Sequence, residues 1–177
     1  MTMSFDFSEF AKGLFTNVWM TVLSCILPMA VGVLLAYFGN EKIRKTLSWV
    51  AIPFESICPV IFLMFVCYNV AMVAHFSRVA IAIVAFSICF MGYIPARYSE
   101  SDSKLKNLVY HGLGLFATVF SWSFCTRMIG VYELLGVANN YANMKYEYDI
   151  LLLPLIVAMA ILAAIHVARR MVKEKME

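Results

Sequence analysis

The stretch GLFTNVWMTVLSCILPMAVGVLLAYF, residues 13–38, contains no Asp, Glu, Lys or Arg. A helix needs about 20 mostly apolar residues to cross a hydrocarbon core about 30 Å thick, because each backbone amide must be satisfied within its own segment. Residues 13–38 are therefore predicted to form a transmembrane helix. Asp6 and Glu9 precede the stretch where a cleaved signal peptide would be basic, and the run is too long for one, so we interpret it as a retained span.

Four more apolar runs follow the first one along the chain. We predict spans at residues 49–70, 79–94, 108–129 and 150–168. Their apolar residues run continuously and do not alternate with polar ones, which excludes transmembrane β-strands. The chain has 177 residues and is 63% hydrophobic, which leaves no room for a soluble enzyme domain. The prediction is an all-α polytopic membrane protein, with five transmembrane helices in a single domain over residues 1–177.

The positions of the basic residues predict the orientation of these helices. Ten of the 14 Lys and Arg residues follow the first, third or fifth span: Lys42, Arg44, Lys45, Arg97, Lys104, Lys106, Arg169, Arg170, Lys173 and Lys175. Loops rich in Lys and Arg stay in the cytoplasm. We therefore expect the N-terminus outside and the C-terminus in the cytoplasm. The net charge of +3 is dispersed over several loops, so a nucleic-acid partner is not expected.

The second predicted span contains an acidic residue, Glu55, between two prolines. An ionised carboxylate in lipid must pair, meet water or become protonated, so such a residue is a candidate for function. Glu55 also lies near the cytoplasmic end, where it could instead pair with a basic residue of the preceding loop. Ser56 follows it, and Thr21 and Ser24 add hydroxyl groups to the first span, where a helix–helix contact is as plausible as a pathway lining. These four residues are the predicted substrate pathway.

The polar segment after the third span is the best candidate for contact with a cytoplasmic partner, because it is the longest inward-facing segment between spans. The residues assigned to this contact are Lys104, Lys106, Asn107, His111 and Gly112. For His111, an imidazole hydrogen-bonding at the membrane interface is the stronger interpretation, and a proton relay the weaker one.

No motif for catalysis or cofactor binding is found. The sequence has no glycine-rich phosphate loop ending in Lys-Ser or Lys-Thr, no Gly-x-Ser-x-Gly and no His-Glu-x-x-His. Its five cysteines form no Cys-x-x-Cys pair and lie within the predicted spans, as packing residues would. The prediction is a protein that is not an enzyme, with no catalytic residue, metal or cofactor.

Several of these features, in this order, resemble the membrane subunit of polar amino-acid ABC importers. The resembling residues in the first two spans are Gly13, Leu14, Thr16, Thr21, Ser24, Gly32 and Ala36, then an acid followed by Pro59 and a Phe- and Leu-rich run to Tyr68. The later ones are Ile129–Leu134, Ala138–Ala142, a Leu-rich last helix and Arg169-Arg170. The resemblance is diffuse over most of the chain.

This resemblance implies five spans and a place in the bacterial cytoplasmic (inner) membrane. It also implies a second permease chain, identical or related, as a partner within the lipid. A cytoplasmic ABC ATPase would hydrolyse ATP, and an external solute-binding protein would deliver an amino acid or a similar small polar solute. The chain itself would catalyse nothing.

The sequence also departs from the family's pattern. The family has a long cytoplasmic loop with a Glu-Ala-Ala…Gly signature, and here the interval is shorter, with residues 106–112 at best a remnant. Ser56 stands where a basic residue is expected before Pro59, and Ser121-Trp122 replaces a Lys-Asp pair. The alternative is therefore a degenerate permease-like protein that scaffolds or regulates a membrane complex without ATPase coupling. A proton-coupled carrier that uses Glu55 is a further hypothesis.

Overall fold

The computed structural model describes residues 7–40, 42–43, 45–46, 49, 57–70, 76–97, 104–145 and 148–174. The helices within these ranges are α1 (Phe7–Phe38), α2 (Pro59–Val70), α3 (Arg78–Cys89), α4 (Tyr93–Arg97), α5 (Lys104–Ser123), α6 (Leu134–Lys145) and α7 (Leu152–Glu174). Two short 3-10 segments, Phe124–Ile129 and Tyr148–Leu151, follow α5 and precede α7. The described residues contain no β-strand, which confirms the predicted all-α class for this part of the chain.

Four segments are long and apolar enough to cross a membrane: Phe7–Leu35, Arg78–Arg97, Lys104–Ile129 and Tyr148–Glu174. They overlap four of the five predicted spans. The remaining predicted span, 49–70, lies partly outside the described residues, and its described part contains the shorter apolar helix Pro59–Asn69. The polytopic membrane class therefore agrees with the structure, whereas the count of five and the orientation of the termini stay predictions.

Helix α1 is the centre of the bundle, because α3, α5 and α6 all pack against it. Its buried Met20 joins a core that includes Phe86 of α3 and Leu115 of α5. Helix α7 lies at the edge, packed against α5, and most of its apolar side chains are exposed. Such exposure is expected in lipid, where apolar side chains are not driven into the protein interior by water.

Different helices meet at the two ends of the bundle. At the end that we call the α6 end, the start of α1 meets the end of α5 and the start of α6. Gly130 has a φ of 79° there and ends the 3-10 segment after α5 in the left-handed conformation, which glycine adopts without strain. At the opposite end, called the α4 end, α4 packs beside the start of α5 and the last turns of α1.

Candidate functional site

The side chain of Asn17 connects three elements at the α6 end. Asn17 on α1 is completely buried, and its Nδ2 donates to Ser123 Oγ at the end of α5 over 2.7 Å. Its Oδ1 accepts the backbone N–H of Leu134, the first residue of α6, at 2.9 Å. Ser123 Oγ donates in turn to the Phe120 carbonyl at 2.7 Å. One amide therefore uses both its donor and its acceptor to join α1, α5 and α6.

Glu133 directly precedes α6 and satisfies its next two amides. The carboxylate is completely buried and accepts the Leu135 N–H at 2.8 Å and the Gly136 N–H at 2.9 Å. These are donors that a helix leaves without partners at its N-terminus. Arg127 donates from Nη1 to the Gly136 carbonyl at 3.0 Å and lies on the same side of the turn. We call Asn17, Ser123, Arg127 and Glu133 the α6-end network.

The environment of Glu133 changes its acidity. Burial raises the pKa of this carboxyl from 4.5 to about 7, because desolvation penalises the charged form. The N–H groups of Leu135 and Gly136, the Arg127 guanidinium and Asn17 act in the opposite direction and do not cancel the effect of burial. Glu133 therefore titrates near neutral pH.

Helix α6 begins in direct contact with the backbone of α1. A Cβ built on Gly13 would lie only 2.9 Å from Leu134 Cα, so this close approach depends on glycine. Together with Asn17, the contact holds the start of α6 against α1. The described polar groups of this region are paired with one another, which is typical of a structural network.

The two predicted pathway residues on α1 are buried in the bundle. Thr21 and Ser24 are completely buried, and Thr21 Oγ1 donates to the Asn17 carbonyl one turn earlier at 2.7 Å. Ser87 on α3 donates to the Ser24 carbonyl at 3.2 Å, while Ser24 Oγ is buried without a hydrogen-bond partner among the described residues. The bond between Ser87 and the Ser24 carbonyl joins α1 to α3, and the pathway role of Thr21 and Ser24 stays a prediction.

The predicted pathway residues Glu55 and Ser56 lie outside the described residues. The structure describes the chain again from Ile57, which lines a cavity of about 130 Å³ at the α4 end. The cavity is lined by Ile57, Pro59, Cys89, Phe90, Tyr93, Arg97 and Thr118. Thr21 and Ser24 are not among the residues that line this cavity.

The residues predicted to contact a cytoplasmic partner do not share one surface. Lys104 and Lys106 are exposed in the first turns of α5, whereas Asn107 is buried. Gly112 faces α1, since a Cβ there would lie 2.9 Å from Met29 Sδ. His111 is half-buried and meets the neighbouring Tyr110 ring edge-on, with 5.2 Å between ring centroids. A role of these residues in partner binding stays a prediction.

Two arginines at the α4 end are stacked on tyrosine rings. The Arg97 guanidinium carbon lies 4.1 Å from the ring centre of Tyr93, and that of Arg169 lies 4.5 Å from the ring centre of Tyr110. We call these four residues the arginine–tyrosine cluster. The described part of the chain contains no group of three or more His, Cys, Asp or Glu residues arranged to hold a metal ion.

Sequence reasoning missed the roles of Asn17 and Glu133. It used Arg97 and Arg169 as markers of orientation, and Arg169 also as part of the family resemblance. A local signal existed for Glu133, because a carboxylate just before a helix is a common N-terminal cap. A signal existed also for the Tyr93–Arg97 pair, since residues four apart share one face of a helix. No local signal predicts the Arg169–Tyr110 contact or the bond from Asn17 to Leu134.

Comparisons with known proteins give a match in fold and none in sequence. No protein-family model matches the chain, and no curated protein matches its sequence. A solved structure described as an amino acid ABC transporter with histidines aligns with a TM-score of 0.77. The alignment covers 99% of this chain and 100% of that one, at 14% identity. The chain therefore has the fold of that transporter chain over its whole length.

Proposed function

We propose that this chain is a membrane-spanning permease subunit of an ABC-type transporter for amino acids or similar small polar solutes. The observation that carries the proposal is the shared fold, with a TM-score of 0.77 over 99% of the chain. The ordered resemblance in sequence, from the first span to Arg169-Arg170, supports the same proposal.

In this function the chain is a non-catalytic half of a pathway in the bacterial inner membrane. It spans the membrane five times, with its N-terminus outside and its C-terminus in the cytoplasm. A second permease chain completes the pathway, a cytoplasmic ATPase drives it, and an external binding protein delivers the solute. Glu55, Ser56, Thr21 and Ser24 are the residues we assign to the pathway. Lys104 and Lys106 supply exposed charge for the ATPase contact.

Copurification from the native host tests the proposal. The tagged chain, extracted in a mild detergent after cross-linking, is expected to carry a nucleotide-binding subunit with it. The double variant Lys104→Glu/Lys106→Glu is expected to lose that subunit, because the exposed charge at the contact is reversed. The matched control is Lys12→Glu, which reverses an exposed charge near the start of α1, at the α6 end of the bundle. Absence of any nucleotide-binding subunit from the wild-type preparation would contradict the function.

A second candidate function is a permease-like scaffold without ATPase coupling. It is favoured by the start of α5, which runs without interruption from Lys104 to Ser123. Asn107 is buried in this helix and Gly112 packs on α1, so residues 104–112 form the first turns of a membrane span. For a scaffold, the same purification is expected to yield other integral membrane proteins and no nucleotide-binding subunit.

A further inference from the structure

Two positive charges lie close together on one side of α5 at the α4 end. A Cβ built on Gly114 would lie 2.8 Å from the Tyr93 hydroxyl and 3.1 Å from the Arg169 guanidinium carbon. Arg97 lies over the ring of that same Tyr93 and donates from Nη1 to its carbonyl at 3.2 Å. We call the region around Tyr93, between α4, α5 and α7, the cleft. His111 also lies in the electrostatic field of both arginines. Two guanidinium groups therefore adjoin the cleft.

Arg169 differs from its neighbour Arg170 in the hydrogen-bond partners of its guanidinium group. Arg170 Nε donates to Glu174 Oε1 at 3.1 Å, in an exposed pair on α7. The Nε of Arg169 is buried and has no hydrogen-bond partner among the described residues. A buried charged donor without an acceptor is unfavourable, and native proteins rarely leave one unpaired. The guanidinium lies over the Tyr110 ring, with 4.5 Å between its carbon and the ring centre.

An apolar space adjoins this cleft. Tyr93 and Arg97 also line the cavity of about 130 Å³, where Ile57, Pro59 and Phe90 supply apolar surface. Arg169 itself lies in α7, after the apolar part of that helix. Val167, two residues earlier, is exposed. A ligand that fills both parts carries a negative group and a hydrocarbon chain.

We propose that the cleft formed by Arg97, Arg169 and Gly114 binds the phosphate of an anionic phospholipid. The acyl chain lies in the adjoining cavity and along the exposed face of α7. This end of the bundle is the one that the positive-inside rule predicts to be cytoplasmic, and cytoplasmic leaflets are anionic. Arginine suits the site because its planar fork donates two parallel hydrogen bonds to phosphate oxygens. The proposal goes beyond the transport function and does not depend on ATPase coupling.

Native mass spectrometry of the full chain in detergent with added lipid tests the site. Wild-type protein is expected to retain phosphatidylglycerol in preference to phosphatidylcholine. Arg169→Gln and Arg97→Gln are each expected to reduce that preference about fivefold, the effect of one basic residue near an anionic lipid surface. Arg170→Gln is the matched control, because it removes an exposed guanidinium one residue away, and it is expected to leave the preference unchanged. Arg169→Lys, which keeps the charge and loses the fork, is expected to give an intermediate result.

The outcomes separate a lipid from a free anion. If inorganic phosphate at millimolar concentration displaces the lipid completely and binds in the absence of lipid, the cleft is a free-phosphate site and the proposal fails. Equal retention of the two lipids by the wild type would overturn it, as would equal losses in Arg169→Gln and Arg170→Gln. Circular dichroism and elution volume of each variant show that it is folded. If Arg169→Gln does not fold, the comparison of Arg97→Gln with Arg170→Gln decides the question.

Discussion

The two ends of this bundle use polar side chains in opposite ways. In the α6-end network, Asn17 and Glu133 are completely buried, and their oxygens accept the first three amides of α6. In the arginine–tyrosine cluster, Arg97 is exposed and Arg169 keeps a buried Nε without a partner among the described residues. A network whose polar groups are paired with one another holds helices together. A buried charged donor without an acceptor, such as Arg169 Nε, is a candidate for binding a ligand. The first end therefore determines structure, and the second is a candidate for binding.

The largest effect is expected when the Asn17 side chain is removed, which tests whether the α6-end network stabilises the fold. Asn17→Ala leaves the buried Leu134 N–H without an acceptor and opens a small cavity between α1 and α5. We expect the free energy of unfolding to fall by about 2–4 kcal/mol. Denaturant unfolding in detergent micelles, followed by tryptophan fluorescence, measures the change.

The control for this prediction is Asn69→Ala. Asn69 is an exposed asparagine on α2 whose Nδ2 bonds only to the Phe65 carbonyl of its own helix. We expect its replacement to change stability by less than about 0.5 kcal/mol. Equal losses in the two variants would show that Asn17 has no special role.

The acidity of Glu133 gives a second test at the same end. Its pKa is raised from 4.5 to about 7 in the folded protein, so the folded state binds more protons than the unfolded state between those values. Stability is therefore expected to fall as the pH rises from 4.5 to 7 and then to level off, by about 3 kcal/mol in total. Glu133→Gln removes the titrating group and is expected to flatten this dependence. Unfolding measured at pH 5, 6, 7 and 8 tests the sign.

Glu9→Gln serves as the control for the pH series. Glu9 pairs with Lys12 at 2.7 Å, so its replacement controls for the loss of one carboxylate outside the α6-end network. A wild-type profile that rises with pH over the same window would contradict the role given to burial.

The smallest expected effect concerns the close approach of α1 and α6. Gly13→Ala places a methyl group 2.9 Å from Leu134 Cα, and backbone at that distance must move. The expected cost is about 1–2 kcal/mol after the better helix propensity of alanine is taken into account. Faster hydrogen exchange of the Leu134–Gly136 amides is the sharper measurement, because it reports the displacement of α6 itself.

Gly136→Ala provides a matched glycine for comparison. Its new Cβ would lie 3.4 Å or more from other atoms, within ordinary contact distance. We expect unchanged amide exchange at the start of α6 for this variant. Similar exchange rates in the two alanine variants would contradict the close contact between α1 and α6.

Sequence reasoning predicted the helices of this protein, whereas the roles it assigned to single residues stay predictions. Four of the five predicted spans coincide with long apolar helices, because the need to satisfy backbone amides in lipid acts on each segment separately. The roles of the assigned pathway and contact residues stay predictions, although Thr21, Ser24 and Asn107 are buried within this chain. In a sequence, the hydroxyl and amide groups of a substrate pathway cannot be distinguished from those of a helix–helix contact. Their surroundings distinguish them, and those come from other helices.

The sequence by itself determined that this protein is a helical membrane protein, because hydropathy is a local property that each run of about 20 residues carries alone. Only the tertiary structure decided which polar residues act together. Asn17 and Leu134 are 117 positions apart, and Asn17 and Ser123 are 106 apart, so packing of the helices alone brings them within hydrogen-bond distance. The same is true of Arg169 and Tyr110, which meet because α7 packs against α5. Membrane insertion is determined segment by segment, whereas a site requires residues from several segments at one place.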